Sequence, residues 1–222
     1  MSNAAPGPGP VDYPAARMAE LAHAMVEAHA LGSLPPIVQL GHPVLRMRAA
    51  EFEGQLDGEL LPRFLAVMRD TMHAAPGVGL AAPQIGIPLR IAVMEDAFPI
   101  DPDIGAERER EPLAYFAALN PAYRAAGPRT AAFFEGCLSF DGFQGVVERP
   151  AEVAASYTTP EGRAVERGLS GWQARIFQHE TDHLDGTVYV DKVLTRSLCT
   201  HAEYAARWAD PGIGRARRGL GF

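Results

Sequence analysis

The chain has 222 residues, of which 47% are hydrophobic and 21% charged, and this balance is typical of one well-packed domain with extensions. Its formal net charge of -7 argues against a general nucleic-acid-binding protein, which needs a basic face. The 2 cysteines imply no disulfide framework and fit a reducing cytoplasm, and no apolar run approaches the ~18 residues of a membrane span.

The first part of the chain is expected to form helices separated by an extended segment. Residues 1–10 are rich in Pro, Gly and Ala, and we predict that they are disordered. Apolar residues at helical spacing predict a first helix over 12–30 and a second over 57–74. Between them, 37–40 is interpreted as a short strand or an extended arm, and a glycine-rich loop over 77–84 follows the second helix.

The central part of the chain is expected to form strands around a surface insertion at 96–112. Strands are predicted at 89–94, 114–119 and 188–190, and a hairpin at 145–158 and 164–169. Asn120-Pro121 is expected to stop the strand before it, and a last helix is predicted over 195–209. This mixture predicts an α+β fold, with mixed or antiparallel sheets around a central helix and further helices at the N- and C-terminal ends.

A metal-binding pattern lies in the predicted central helix, 172–183, which contains His179-Glu180-x-x-His183. Positions i and i+4 share one helix face about 6 Å apart along the axis, so two imidazoles there can bind one divalent ion. The metal lowers the pKa of a bound water, and Glu180 points near that water. The pattern therefore indicates a metal-dependent hydrolase, against the ordinary alternative of an amphipathic helix with two surface histidines.

The third protein ligand decides which hydrolase this is, and the residues alone leave alternatives open. Cys137 lies before the predicted hairpin, which can return the chain so that Cys137 faces the helix, and a thiolate with two imidazoles suits Zn²⁺ or Fe²⁺. A buried structural cysteine is the common alternative. Glu203 lies at a distance that one subclass of zinc endopeptidases allows for its third ligand.

Three runs of the sequence together resemble the three motifs of the peptide deformylase family. They are Gly-Val-Gly-Leu-Ala-Ala-Pro-Gln over 77–84, Glu-Gly-Cys-Leu-Ser over 135–139, and Gln-His-Glu-Thr-Asp-His-Leu-Asp-Gly over 178–186. The likeness extends from about Ile37 to about Val193. It implies removal of the formyl group from the N-terminal formylmethionine of nascent bacterial polypeptides in the cytoplasm, with release of formate.

The resemblance also implies a role for each motif residue. Cys137, His179 and His183 would bind one divalent metal ion, which is Fe²⁺ in many members, although Zn²⁺, Ni²⁺ or Co²⁺ can occupy the same ligands. Glu180 would take a proton from the water and deliver it to the departing amine. The Gln84 amide and the Leu138 backbone N–H would form the oxyanion hole. A catalytically inactive, metal-binding relative is the non-enzymatic alternative.

Substrate contacts are predicted from the same motifs. The peptide backbone is expected to pair with Val78, Gly79 and Gly136. The methionine side chain is expected to contact Val78, Phe133, Trp172 and Ile176, although core packing is as good an interpretation of Phe133 and Ile176. Glu135 is expected to orient its loop or to contact a ligand residue.

The resemblance divides the chain into three parts with different expected roles. They are an N-terminal extension over 1–34, a catalytic domain over 35–194, and a C-terminal helix and tail over 195–222. Contact with the ribosome and oligomer formation are further expectations, and the insertion at 96–112 is expected to add a lid or an oligomer contact.

Overall fold

The computed structural model describes residues 13–56 and 58–222, so the predicted disorder of 1–10 and the predicted helix starts at 12 and 57 lie outside the described residues. The described residues form an α+β fold with two antiparallel sheets and a central helix, which confirms the predicted fold class. The helices are α1 (Ala15–Ala30), α2 (Leu60–Ala74), α3 (Pro102–Arg108), α4 (Gly171–Leu184), α5 (His201–Arg207) and α6 (Gly214–Leu220). Among the described residues, none of these helices is long and apolar enough to cross a membrane.

The strands form two sheets whose neighbouring strands are all antiparallel. They are β1 (Gly79–Ala81), β2 (Ile91–Asp96), β3 (Leu113–Ala125), β4 (Thr130–Cys137), β5 (Phe140–Pro150), β6 (Glu152–Thr158), β7 (Ala164–Ser170) and β8 (Cys199–Thr200). The first sheet has the order β1-β2-β3-β6-β7 and the second has the order β4-β5-β8. Strands β1 and β4 are therefore both edge strands.

Helix α4 contacts strands of both sheets, and most of its residues are buried. Ala174, Phe177 and Leu184 recur at helical spacing and pack against the first sheet. Full burial of a Phe or Leu side chain contributes about 1.5–3 kcal/mol, so this face fixes the helix on the sheet. The helix ends before Gly186, where φ is +74° and an added Cβ would lie 2.9 Å from the Arg46 carbonyl oxygen. Only glycine fits there without a shift of the backbone.

Strand β3 continues through Asn120-Pro121, so the predicted stop there is wrong. The register with β6 shifts between Leu119 and Ala122, and Asn120 adopts a φ of +52°. The Asn120 side chain holds this bulge by exchanging hydrogen bonds of 2.7 and 2.9 Å with the backbone of Phe52. A bulge leaves one residue outside the ladder, which accommodates a proline that has no N–H to donate.

Other local predictions differ from the structure in identifiable ways. The predicted strand at 188–190 is a short 3-10 helix, Tyr189–Asp191, in which the Asp191 carboxylate accepts a 2.9 Å hydrogen bond from the Val188 N–H. The predicted last helix begins only at His201, because Cys199–Thr200 pairs with β5. Strand β4 and helix α3 correspond to no predicted element. The segment 37–40 is an extended arm whose backbone bonds the carbonyls of Gln84 and Ser139.

Candidate metal centre

Three possible metal ligands converge where β4 ends against α4. Cys137 is the last residue of β4, and His179 and His183 lie one turn apart on α4. Their ligand atoms all lie within 4.8 Å of one another, and Cys137 Sγ is 3.2 Å from His183 Nε2. Within the described parts of the chain, no other group of three His, Cys, Asp or Glu side chains has this geometry. Metal–ligand bonds of roughly 2.0–2.3 Å fit a common centre at these separations.

The chemistry of the three donors fits a divalent metal ion such as Zn²⁺ or Fe²⁺. Burial and the nearby positive charge of Arg149 lower the pKa of His183 well below its ordinary value. The His183 imidazole is therefore neutral near pH 7, and its lone pair is available to a metal. The Ser139 N–H donates to Cys137 Sγ at 3.4 Å, which helps to hold the sulfur beside the two histidines.

Glu135 fixes the orientation of the first histidine. His179 Nδ1 lies 3.0 Å from Glu135 Oε2, so this nitrogen carries the proton and Nε2 is left for a metal. Burial opposes ionisation of Glu135, but Arg149, His179 and Arg175 hold its pKa well below the usual range. The expected contact of Glu135 with a ligand residue is therefore present in the structure.

A buried ionic network supports this orientation from behind. Arg149, which is 2% exposed, donates to Glu135 at 2.6 and 2.9 Å and to Asp182 at 2.7 Å. Asp182 also accepts hydrogen bonds from Tyr123 at 2.9 Å and Lys192 at 2.7 Å. The network links β5 of the second sheet to α4 and to β3 of the first. It therefore fixes the position of His179 relative to both sheets.

We expect Arg149→Met to lower the free energy of unfolding by about 3–5 kcal/mol, because it leaves Glu135 and Asp182 buried without their central partner. Urea denaturation of the metal-free protein measures this change. The matched control is Arg207→Met, because Arg207 pairs with Glu203 on the surface, where the two side chains are 61% and 56% exposed. We expect Arg207→Met to lower the free energy of unfolding by less than about 1 kcal/mol. Equal losses in the two variants would contradict a structural role for the network.

Glu180 lies beneath the edge strand β1 and has little contact with water. It is 4% exposed, and its Oε2 atom has no hydrogen-bond partner among the described residues. Burial raises the pKa of Glu180 to about 7, which is the range of a proton acceptor and donor at neutral pH. A Cβ atom on Gly79 would lie 2.2 Å from Glu180 Oε1, so β1 approaches this closely only because residue 79 is glycine.

The Gln84 side chain is held with its amide nitrogen towards the three ligands. Gln84 Oε1 accepts a 2.8 Å hydrogen bond from the Ala81 N–H, which assigns the other end of the amide as the nitrogen. Gln84 Nε2 then lies 3.3 Å from Ser139 Oγ and 3.7 Å from Cys137 Sγ. The side chain is 1% exposed, so this orientation is fixed by packing as well.

A groove of about 990 Å³ opens onto these residues. Of the sequence-predicted residues, those that line it are Val78, Gly79, Gln84, Glu135, Gly136, Cys137, Leu138, Trp172, Ile176, His179 and Glu180. Phe133 contacts Trp172, with ring centroids 6.4 Å apart, but does not itself line the groove. Arg108 from the insertion and His201 from α5 also line it, and the sequence analysis identified neither. Glu203 lies outside the ligand group and pairs with Arg207 at 2.6 Å.

Comparison with known proteins identifies relatives over most of the chain. The polypeptide deformylase family model matches residues 34–197. Peptide deformylase 3 of Streptomyces avermitilis is 52% identical over 202 residues, which cover 91% of this chain and 90% of the relative. The mitochondrial peptide deformylase of Homo sapiens is 38% identical over 73% of this chain and 69% of the relative.

Solved structures resemble the same part of the chain. The Met-Ala-Ser-bound class I type b peptide deformylase of Acinetobacter baumannii has a TM-score of 0.66 and 31% identity. The match covers 72% of this chain and 99% of that one. The actinonin complex of the Synechococcus elongatus enzyme has a TM-score of 0.61 and 35% identity, covering 73% of this chain and 82% of that one.

Proposed function

The chain belongs to the peptide deformylase family, and from this premise we propose that it removes the formyl group from N-terminal formylmethionine of nascent polypeptides and releases formate. The observation that carries the proposal is the meeting of Cys137, His179 and His183 beside Glu180 and Gln84. These five side chains supply a metal site, a proton acceptor and an amide donor in one groove. Metal-dependent hydrolysis of an amide uses all three.

We propose that Cys137, His179 and His183 hold one divalent ion, with Fe²⁺ the expected metal in the cell and Zn²⁺, Ni²⁺ or Co²⁺ able to replace it. When bound, such an ion lowers the pKa of a coordinated water enough to make it a nucleophile near pH 7. Glu180 accepts the proton of the attacking water and later donates it to the departing amine. Its buried position and its pKa of about 7 support this double role.

The formyl oxygen acquires negative charge during the attack and needs fixed donors. The Gln84 amide nitrogen and the Leu138 backbone N–H are the proposed donors. Gln84 is suited to the task because its orientation is already set by Ala81 and Ser139, so no reorganisation is needed during the reaction. One donor of this kind contributes about 10²–10³-fold to the rate in other hydrolases.

The substrate is proposed to bind as an added strand between the two sheet edges. Gly79 belongs to edge strand β1, and Gly136 belongs to edge strand β4. Both line the groove, and edge strands offer unpaired backbone groups to an extended peptide. Val78, Trp172 and Ile176 form the proposed apolar contact surface for the methionine side chain, with Phe133 packing behind Trp172.

Further expectations concern the division of the chain and its surroundings. We propose that 35–194 is the catalytic domain, preceded by an extension over 1–34 and followed by a C-terminal segment over 195–222. The match of the family model to residues 34–197 supports this division. We also expect cytoplasmic location in a bacterium, contact with the ribosome, and oligomer formation through the N-terminal helix or the insertion at 96–112.

Two rival functions are not favoured by the site. A zinc endopeptidase would need Glu203 as a ligand, but Glu203 pairs with Arg207 away from the ligand group. A closed structural metal site or an inactive relative would need neither a proton acceptor nor an amide donor. Both Glu180 and Gln84 line the groove in reach of substrate.

We expect the anaerobically purified protein to release formate from formyl-Met-Ala-Ser with about one metal ion per chain. Formate measurement coupled to metal analysis of the same preparation tests this, with unformylated Met-Ala-Ser as the blank. A metal-replete preparation that releases no formate would exclude the proposed function. Cleavage of an internal peptide bond instead would favour the endopeptidase.

A further inference from the structure

The insertion between β2 and β3 contributes a side chain to the groove. Helix α3 lies within this insertion, and Arg108, its last residue, lines the same groove as the candidate metal ligands. The insertion is held against the start of α4, since the Trp172 N–H donates to the Glu109 carbonyl at 3.2 Å. The Gln173 side chain also donates to the Pro112 carbonyl at 3.1 Å. Arg108 is therefore presented from an anchored segment.

The Arg108 guanidinium is fixed by α5 and by the segment that follows it. Its Nε donates to the Pro211 carbonyl at 2.9 Å, and its Nη2 lies 3.3 Å from both the Tyr204 hydroxyl and the Asp210 carbonyl. Three acceptors on one edge of a planar guanidinium hold it in one orientation. Arg108 therefore joins the insertion to the C-terminal segment.

The same guanidinium packs on the aromatic residues next to the groove. Arg108 Cζ lies 5.4 Å from the centre of the Trp172 ring and 5.7 Å from that of Phe133. Arg175 contacts the same two rings at 5.8 and 5.3 Å and is itself tied to Glu135 at 2.6 Å. The two aromatic rings are thus in contact with two guanidinium groups that are both held by hydrogen bonds. This leaves the rings little freedom to move away from a larger ligand.

We propose that Arg108 is a specificity-determining residue, which closes the side-chain pocket beside Trp172 and limits the size of the first residue that the pocket accepts. The inference rests on the proposed function, because Trp172 belongs to the surface assigned to the methionine side chain. A slender, unbranched thioether fits beside a fixed guanidinium. A bulky aromatic side chain in the same place would have to displace Arg108 from its three acceptors.

The test compares formyl-Phe-Ala-Ser with formyl-Met-Ala-Ser in the same preparation. We expect Arg108→Ala to raise the ratio of kcat/KM for the phenylalanine substrate over that for the methionine substrate by about tenfold, mainly through KM. Tyr204→Phe removes one acceptor and is expected to shift the ratio less, in the same direction. Arg207→Ala, on the exposed face of α5, is the matched control and is expected to leave the ratio unchanged.

The outcomes separate this inference from the proposed function. An unchanged ratio in Arg108→Ala, with normal melting and normal turnover of formyl-Met-Ala-Ser, would overturn the inference alone. If Arg108→Ala does not fold, an unchanged ratio in Tyr204→Phe overturns it instead. Failure of the wild-type protein to release formate from either peptide would overturn the proposed function and this inference with it.

Discussion

Glu180→Ala is expected to lower kcat for formate release by about 10³-fold while the metal stays bound. Glu180 is a buried carboxylate that lines the groove beside the three candidate ligands, and its Oε2 atom has no hydrogen-bond partner among the described residues. Its loss removes the proton acceptor without removing a metal ligand. Steady-state formate release measures the loss of kcat, and metal analysis of the same sample shows whether the metal is retained.

The isosteric variant Glu180→Gln serves as the control for packing beneath β1. It fills the same space under Gly79 but cannot exchange a proton, so we expect a loss similar to that of Glu180→Ala. If either variant kept near wild-type turnover, the proton acceptor would have to be another group. If either lost its metal, Glu180 would be acting on the ligands and not on the substrate.

Cys137→Ala is expected to weaken metal binding by more than about 100-fold, because even residues that only orient a metal ligand contribute 10–100-fold. The prediction follows from the position of Cys137 Sγ within 4.8 Å of the ligand atoms of both histidines. Metal content after dialysis and the increase in Tm on adding Zn²⁺ both measure it, because a ligand that binds only the folded state raises Tm.

Two controls make this prediction specific. Cys199→Ala removes the second cysteine, which packs in a separate cluster with Phe134 and is not among the candidate ligands. Glu203→Ala removes the third ligand that an endopeptidase would require. Both variants are expected to keep their metal and their increase in Tm. Metal loss in Glu203→Ala with retention in Cys137→Ala would reverse the assignment of the third ligand.

Residues with a characteristic spacing were predictable from the sequence, whereas residues that depend on long-range contacts were not. His179, Glu180 and His183 follow from helix geometry alone, and the order of the three motifs identified Cys137 and Gln84. The strand containing Cys137 was missed because Thr-Ala-Ala-Phe-Phe-Glu-Gly-Cys has only one β-branched residue and lacks the alternation of apolar and polar residues that marks a strand. Its pairing with β5 supplies the stabilisation that local propensity lacks.

The buried arginines are the clearest example of what a single sequence does not reveal. Arg149 and Arg175 are 2% and 4% exposed, but an arginine in a sequence pattern is ordinarily interpreted as a surface residue. Their burial depends on Glu135 and Asp182, which come from other elements of the chain. The sequence did not reveal the role of Arg108 for the same reason, because the groups that accept its hydrogen bonds lie about 100 positions later in the chain.

The contact between Arg108 and Pro211 makes one part of the groove depend on distant segments of the chain. The two residues are 103 positions apart, and contacts between such distant segments require a large loss of chain entropy before they stabilise the fold. The candidate metal ligands and Glu180 all lie before residue 184, and Cys137 and His183 are 46 positions apart. The selectivity proposed for the substrate side chain therefore depends on a longer-range contact than the candidate metal centre does.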